Sequence, residues 1–364
     1  MTEINLERIV DGDGHILEDF AGIAKRIPYP YNQGVIRPEK MFPQIDHLHR
    51  HNQVKTSADL EGRGPVGPEE WFQFLSDVNI DATVLYPSQG LGYGRIVSVD
   101  WAIAICKAYN DWLYETYMGR SPRFKGMALI PGQDVDAAVE ELRRVVEDLG
   151  MQGAMLPAKG FDTQVGAKTY WPIYAEADRL GCAIAFHGGS HDMMGMDRLN
   201  RYAPIHGIGH PLSVMIAFAG IVFNGVMDRF PNAHYAFLEG GVAWTMMGLE
   251  RFDRSHETHP EYDPFRQWGP QADEKVSDYI IKHISEGRLF FGIEGDEPLL
   301  PHAVKALGEQ AFVYSSDFPH EVTTTMCKEE IQEVLDNEDL TDSAREAVLH
   351  KNSERLYTLA PVPA

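Results

Sequence analysis

The chain has 364 residues, of which 44% are hydrophobic, enough for one large core of barrel size. A formal net charge of −22 disfavours nucleic acid and anionic membrane as partners, because both require a basic patch. Three scattered cysteines, an N-terminus without a signal-like apolar core and no evident run of about 18 apolar residues point to a cytoplasmic protein without disulfides or membrane spans.

Short apolar segments alternate with amphipathic ones along the chain, the pattern of a parallel α/β architecture. The expected strands are Arg8–Asp13, Ala82–Tyr86, Lys125–Ile130, Gly153–Leu156, Cys182–His187, His234–Glu239, Leu289–Ile293 and Phe312–Ser316. Eight such strands predict a (β/α)8 TIM barrel that occupies the whole chain, 1–364, as a single domain. Between them, Asp134 is placed to cap a helix whose apolar face is Val135, Val139, Leu142, Val146 and Leu149, with Gly150 as its stop. Trp171–Leu180, Ser213–Met227 and Lys328–Asn337 read as helices in the same way. Residues 19–70, rich in Pro, Gly, His and charge, interrupt the pattern as a long insertion after the first strand, suited to cover the barrel mouth or a partner subunit. The neighbours His47, His49 and His51 fall in it and read as surface or interface residues.

Chemistry in such barrels sits at the C-terminal strand ends, and here those ends are polar. In Asp11-Gly-Asp13-Gly-His15, positions 13 and 15 face the same way on an extended strand and converge on one point. Glu18 returns toward that point if the chain turns. His187 ends the fifth strand, Glu239 the sixth, Glu294 the seventh and Asp317 the eighth. His210, just before Pro211, reaches inward or caps the following helix, while His320 and Glu294 stand close enough to support the ligands from behind.

These residues resemble the amidohydrolase-related barrel family that includes aminocarboxymuconate semialdehyde decarboxylase and the hydroxybenzoate decarboxylases. The matching pieces are Asp13-x-His15, His187, Asp228-Arg-Phe-Pro231, Ser316-Asp317-Phe-Pro-His320 and Asn352-Ser-Glu-Arg-Leu-Tyr357, spread over nearly the whole chain. The resemblance implies that Asp13, His15, His187 and Asp317 hold one divalent metal. Two departures stand out. Leu238-Glu239-Gly240 replaces the usual strand-six histidine, and Met155-Leu156-Pro157 stands where a carboxylated lysine would bridge two metals, with Lys159 close by but out of place.

Counting Glu18, Glu239 and Glu294 beside Asp13 and Asp317 leaves more carboxylates than one zinc ion requires. The leading expectation is therefore a dinuclear centre of two Fe or Mn/Fe ions that activates dioxygen and hydroxylates a C–H bond of a small amino or carboxylic acid. It resembles the family's oxygen-dependent hydroxylases, such as 2-aminoisobutyrate hydroxylase. The alternative is one Zn or Mn ion serving a hydrolase or a non-oxidative decarboxylase of a small carboxylated substrate, with Glu239 or His210 transferring protons and Asp317 sharing in catalysis. A third reading is a metal-retaining structural subunit of a hetero-oligomer. Arg198, with Arg95 as a substitute, and Tyr202 are the expected contacts to the substrate. The long insertion and the resemblance point to a homo- or hetero-oligomer.

Overall fold

The computed structural model describes residues 8–33, 41–49, 56, 59–60, 65–259, 262 and 267–360. Eight strands, β1 (Val10–Ile16), β2 (Ala82–Pro87), β3 (Phe124–Leu129), β4 (Gly153–Pro157), β5 (Ala183–His187), β6 (His234–Phe237), β7 (Leu289–Ile293) and β8 (Phe312–Tyr314), pair in chain order. Every adjacent pair is parallel. The strands are buried almost throughout, as parallel strands covered on both faces must be, which explains why they read as unbroken apolar runs.

The helices follow from local chemistry. In α1 (Pro68–Val78), proline occupies the first turn and Asn79, at φ +66°, ends the helix in the left-handed region. Helix α2 (Val135–Glu147) starts where the Asp134 carboxylate accepts the Ala137 N–H. Its buried stripe is Ala138, Leu142 and Val145, while Val139, Val146 and Leu149 flank that stripe, partly buried. Helix α3 is Trp171–Leu180, as expected.

Three expectations need correction. Strand β1 runs from Val10 through His15 to Ile16, so Asp13 lies within the strand rather than at its end and His15 inside it rather than beyond it. Strands β6 and β8 stop at Phe237 and Tyr314, short of Glu239 and Asp317, which stand in the loops. The helix expected from Ser213 begins at Tyr202 and runs to Phe223 as α4, with Pro211 inside it. By length and composition alone this helix could cross a membrane, contrary to the sequence reading. Half of its most apolar stretch is nevertheless buried against the rest of the fold, as in the core helix of a soluble barrel.

Between β8 and β1 the barrel is joined by a buried carboxylate. Asp11 accepts hydrogen bonds from Thr83 Oγ1 of β2 at 2.6 Å, and from Ser316 N and Oγ at 2.9 Å each. Beside it, Asp317 N donates to Asp13 O at 3.2 Å and His15 N to Phe318 O at 2.7 Å. A bulge helps: three residues step from Asp11 to Gly14 while two step from Thr83 to Leu85. Gly14 makes the approach possible, because a Cβ there would sit 2.5 Å from Thr83 Oγ1 and 2.6 Å from Asp11 Oδ2. Asp11→Ala leaves at least two buried donors without an acceptor, so it should cost about 3 kcal/mol in urea unfolding. A loss under about 1 kcal/mol would show that the seam does not depend on this carboxylate.

Candidate metal centre

Strands β1, β5 and β8 bring four side chains to one end of the barrel. His15 Nε2 lies 3.6 Å from Asp13 Oδ1 and 3.5 Å from Asp317 Oδ1, and His187 Nε2 lies 3.7 Å from Asp13 Oδ2. Each imidazole is oriented from behind: His15 Nδ1 donates to Pro87 O at 2.8 Å, and His187 Nδ1 to Gly188 O at 3.1 Å. The tautomers are thereby set, and both Nε2 lone pairs face the centre. Burial pushes both imidazoles below their ordinary range, so they remain neutral.

Among the described residues nothing satisfies this convergence. Asp13 Oδ1, His15 Nε2 and His187 Nε2 are buried without a hydrogen-bond partner. The Asp13 carboxyl is pushed far upward by burial first, then by the charges of Glu239, Asp317 and Asp11. Orphaned lone pairs among crowded carboxylates are the surroundings that a cation relieves. Two carboxylates and two neutral imidazoles fit one divalent ion of the zinc or manganese kind.

His320 supports Asp317. The Ser88 hydroxyl gives its hydrogen to Ile16 O at 2.8 Å, so it accepts from His320 Nε2 at 2.7 Å, while His320 Nδ1 donates to Asp317 Oδ1 at 2.8 Å. Burial disfavours a charged His320, yet the adjacent Asp317 carboxylate prevails and holds its pKa up at about 9. Asp317 itself has φ +51° and Glu239 φ +55°, left-handed conformations that cost of order 1 kcal/mol each in residues other than glycine. Strain at both positions, each in the loop following a strand, marks where the fold subordinates comfort to placement.

Glu239 bridges to a further histidine. Its Oε2 lies 3.1 Å from His187 Nε2 and 3.0 Å from His210 Nδ1. Burial would raise the Glu239 carboxyl, but His210 and His187 hold it well below the usual range. His210 is raised in turn, with Glu239 overcoming the effect of burial. His210 lies within α4 rather than capping it, and Gly188 leaves room for its ring, because a Cβ there would fall inside the imidazole.

Other expected site residues are placed elsewhere. Glu18 points to the backbone after β2, accepting from Ser88 N at 3.1 Å, Gln89 N at 3.0 Å and Gly90 N at 2.8 Å. Both of its oxygens are thereby engaged by backbone, which draws it away from the ligand set. Glu294 is exposed, its N–H donating to the Glu297 carboxylate at 3.1 Å, while its carboxyl still feels the charges of Asp317 and Glu239. Arg198 is exposed and does not line the cavity, and Arg95 pairs with Asp192 at 2.6 Å. The Tyr202 hydroxyl is buried without a partner, its ring stacked on His206 at 5.2 Å. His47 is exposed and reaches Leu199 O at 2.8 Å, and His51 lies outside the described residues. His49, read as surface or interface, is in fact buried beside Asp46 and His191. The clue in the sequence was the adjacent Asp46, a carboxylate able to fix an imidazole three residues on.

A cavity of about 280 Å³ opens onto the centre. Leu17, Ile45 and Leu91 give it apolar walls, and His49, His206, His210 and His320 line it together with Glu239 and Asp317. Among the described residues, no lysine or arginine lines it.

Comparison with known proteins agrees with this architecture. A family model described as Amidohydrolase matches residues 10–359, and the chain belongs to that family. It is 22% identical over 298 residues to the 2-amino-3-carboxymuconate-6-semialdehyde decarboxylase of Dictyostelium discoideum, covering 81% of this chain and 77% of the relative. It is 30% identical over 246 residues to the gamma-resorcylate decarboxylase of Rhodococcus jostii, covering 60% and 68%. Among solved structures, 2,6-dihydroxybenzoate decarboxylase from Rhizobium superposes with a TM-score of 0.67 at 17% identity, covering 96% of this chain and 98% of that one. The 5-carboxyvanillate decarboxylase of Novosphingobium aromaticivorans, complexed with manganese, superposes at 0.70 with 16% identity, covering 98% and 97%.

These findings overturn the expectation of a dinuclear oxygenase. The relatives are named as decarboxylases, and the solved neighbour carries manganese. The supposed carboxylate surplus also shrinks once Glu18 is bound to backbone and Glu294 faces solvent, leaving Glu239 beside Asp13 and Asp317. His187→Ala or Asp317→Asn should abolish metal retention in elemental analysis of purified protein, whereas Glu18→Gln should keep it. Metal lost from the Glu18 variant alone would return that residue to the ligand set.

Proposed function

We propose that this member of the amidohydrolase family is a non-oxidative decarboxylase of a small carboxylated ring compound, working with one divalent ion. Asp13, His15, His187 and Asp317 would hold the ion. When bound, it supplies positive charge that orients a carboxylate and stabilises negative charge developing beside it. The observation that carries the reading is the Glu239–His210 pair, which puts an imidazole, its pKa raised by the neighbouring carboxylate, on the cavity wall beside the ligand set.

Loss of carbon dioxide leaves the C–C electron pair on the substrate carbon, and that carbon must receive a proton. His210 is the donor: its Nδ1 faces Glu239, which leaves Nε2 for the cavity. Glu239 keeps the imidazole protonated until transfer. The Asp317–His320–Ser88 chain holds the Asp317 carboxylate in place. Leu17, Ile45 and Leu91 give a ring an apolar wall, and a cavity near the small end of the range for ligand sites limits its size. The segment 19–70 supplies Pro43, Gln44, Ile45, His49 and Thr56 to that wall, which suits a lid.

Manganese-loaded protein given hydroxybenzoates and carboxyvanillate should release one carbon dioxide per substrate consumed without taking up oxygen. Ester or amide hydrolysis with no carbon dioxide from any ring acid would overturn the reading. His210→Ala should lower kcat by about 100-fold or more with metal content unchanged. A near-normal kcat would move the donor role to another group.

A further inference from the structure

A second buried polar cluster lies on the insertion side of His210. Asp46 accepts four hydrogen bonds, as many as a carboxylate has lone-pair sites. Leu48 N and His49 N donate to Oδ1 at 2.7 and 2.8 Å, and His49 Nδ1 and His191 Nδ1 donate to Oδ2 at 2.6 and 2.7 Å. Burial works against its charge, but these donors hold the carboxyl far below its ordinary range. An ionised carboxylate only accepts, so both Nδ1 atoms carry hydrogen. Among the described residues, the Nε2 atoms of His49 and His191 are buried without partners.

Both rings pack toward the same place. His191 meets His210 edge to face, with ring centroids 4.8 Å apart and planes at 89°; His49 lies 6.2 Å from His210 at 79°. Gly209, next to His210 on α4, has no Cβ where the His191 ring lies. The insertion is joined to the loop after β5 by His191 N donating to Ile45 O at 2.9 Å, and Arg95 adds a bond to Gln44 O beside its ion pair with Asp192. His210 therefore stands between two supports, Glu239 on the barrel side and the Asp46-held imidazoles on the insertion side.

We propose that Asp46 is a positioning residue for His210, fixing His191 and His49 in one tautomer so that their rings hold the His210 imidazole with Nδ1 on Glu239 and Nε2 in the cavity. The effect on turnover rests on the decarboxylase reading; the effect on the ring does not. A merely structural aspartate would brace the insertion without setting the state of an imidazole on another element.

The test is nitrogen NMR of zinc-loaded, histidine-labelled protein, paired with kinetics on the manganese form. In the parent protein His49 and His191 should both show the Nδ1–H tautomer. Asp46→Asn, which removes the charge and offers one carbonyl oxygen in place of two carboxylate oxygens, should shift the His210 ring signals and release at least one of the two imidazoles. It should also lower kcat by about 10- to 100-fold, with KM changed less than about threefold and metal content intact. Asp46→Glu should restore part of the loss. His191→Gln, which leaves Asp46 and His49 in place, should shift His210 in the same direction and serves if the Asp46 variants fail to fold. An Nε2–H tautomer at His191, or His210 signals unmoved by both substitutions, overturns the proposal. Shifted His210 signals with no carbon dioxide release by the parent protein would instead count against the decarboxylase reading and leave the positioning role standing.

Discussion

The constraint on which the rest depends is the meeting of carboxylates and neutral imidazoles in a place sealed from water. Asp13, His15, His187 and Asp317 are held within a few ångströms by strands that have no freedom to retreat. Left alone, the arrangement is costly: like charges face one another and lone pairs lack donors. The protein tolerates it by arming each group from behind. Pro87 and Gly188 carbonyls orient the imidazoles, and His320 neutralises Asp317. The fold thus stores a demand for positive charge at one spot, and the surrounding residues keep that demand from relaxing into ordinary hydrogen bonds.

A second layer of polar groups serves the first. Asp11 lies directly beneath the centre and joins β1, β2 and the loop after β8, so the residues that close the barrel are neighbours in sequence of those proposed to bind the ion. Glu18 has a comparable structural task, tying the turn after β2 to the end of β1. Both are buried carboxylates near a metal-like cluster, yet both have each oxygen engaged by backbone N–H or hydroxyl donors. What separates such a residue from a ligand is an oxygen left without a partner, as on Asp13.

Much of the fold was readable in sequence because parallel strands buried on both faces leave unbroken apolar runs, and β2, β4, β5 and β7 fall within a residue of expectation. The end of β1 was misjudged because Gly12, Asp13, Gly14 and His15 do not look like a strand; they are one only because Asp11, Thr83 and Ser316 supply partners from far away in the chain. Glu18 and Glu294 were over-read for a related reason. A carboxylate after a strand has the same appearance in sequence whether it meets an ion, three backbone N–H groups or water. The Asp46 cluster was passed over because the local clue, Asp46 three residues before His49, takes its full meaning only from His191 on a distant loop. Arg198 illustrates the converse, a cation chosen for its chemistry that the fold leaves in solvent.

The four residues proposed as ligands also impose an order of assembly. They come from residue 13, residue 15, residue 187 and residue 317, at the two extremes and the middle of the chain. All eight strands precede Asp317 in the chain, and the Ser316 bonds that close the seam come from the residue just before it. An ion met earlier would find only a partial, mobile set of donors. The donor set proposed to hold the ion is therefore complete only once the C-terminal part of the chain has folded against β1.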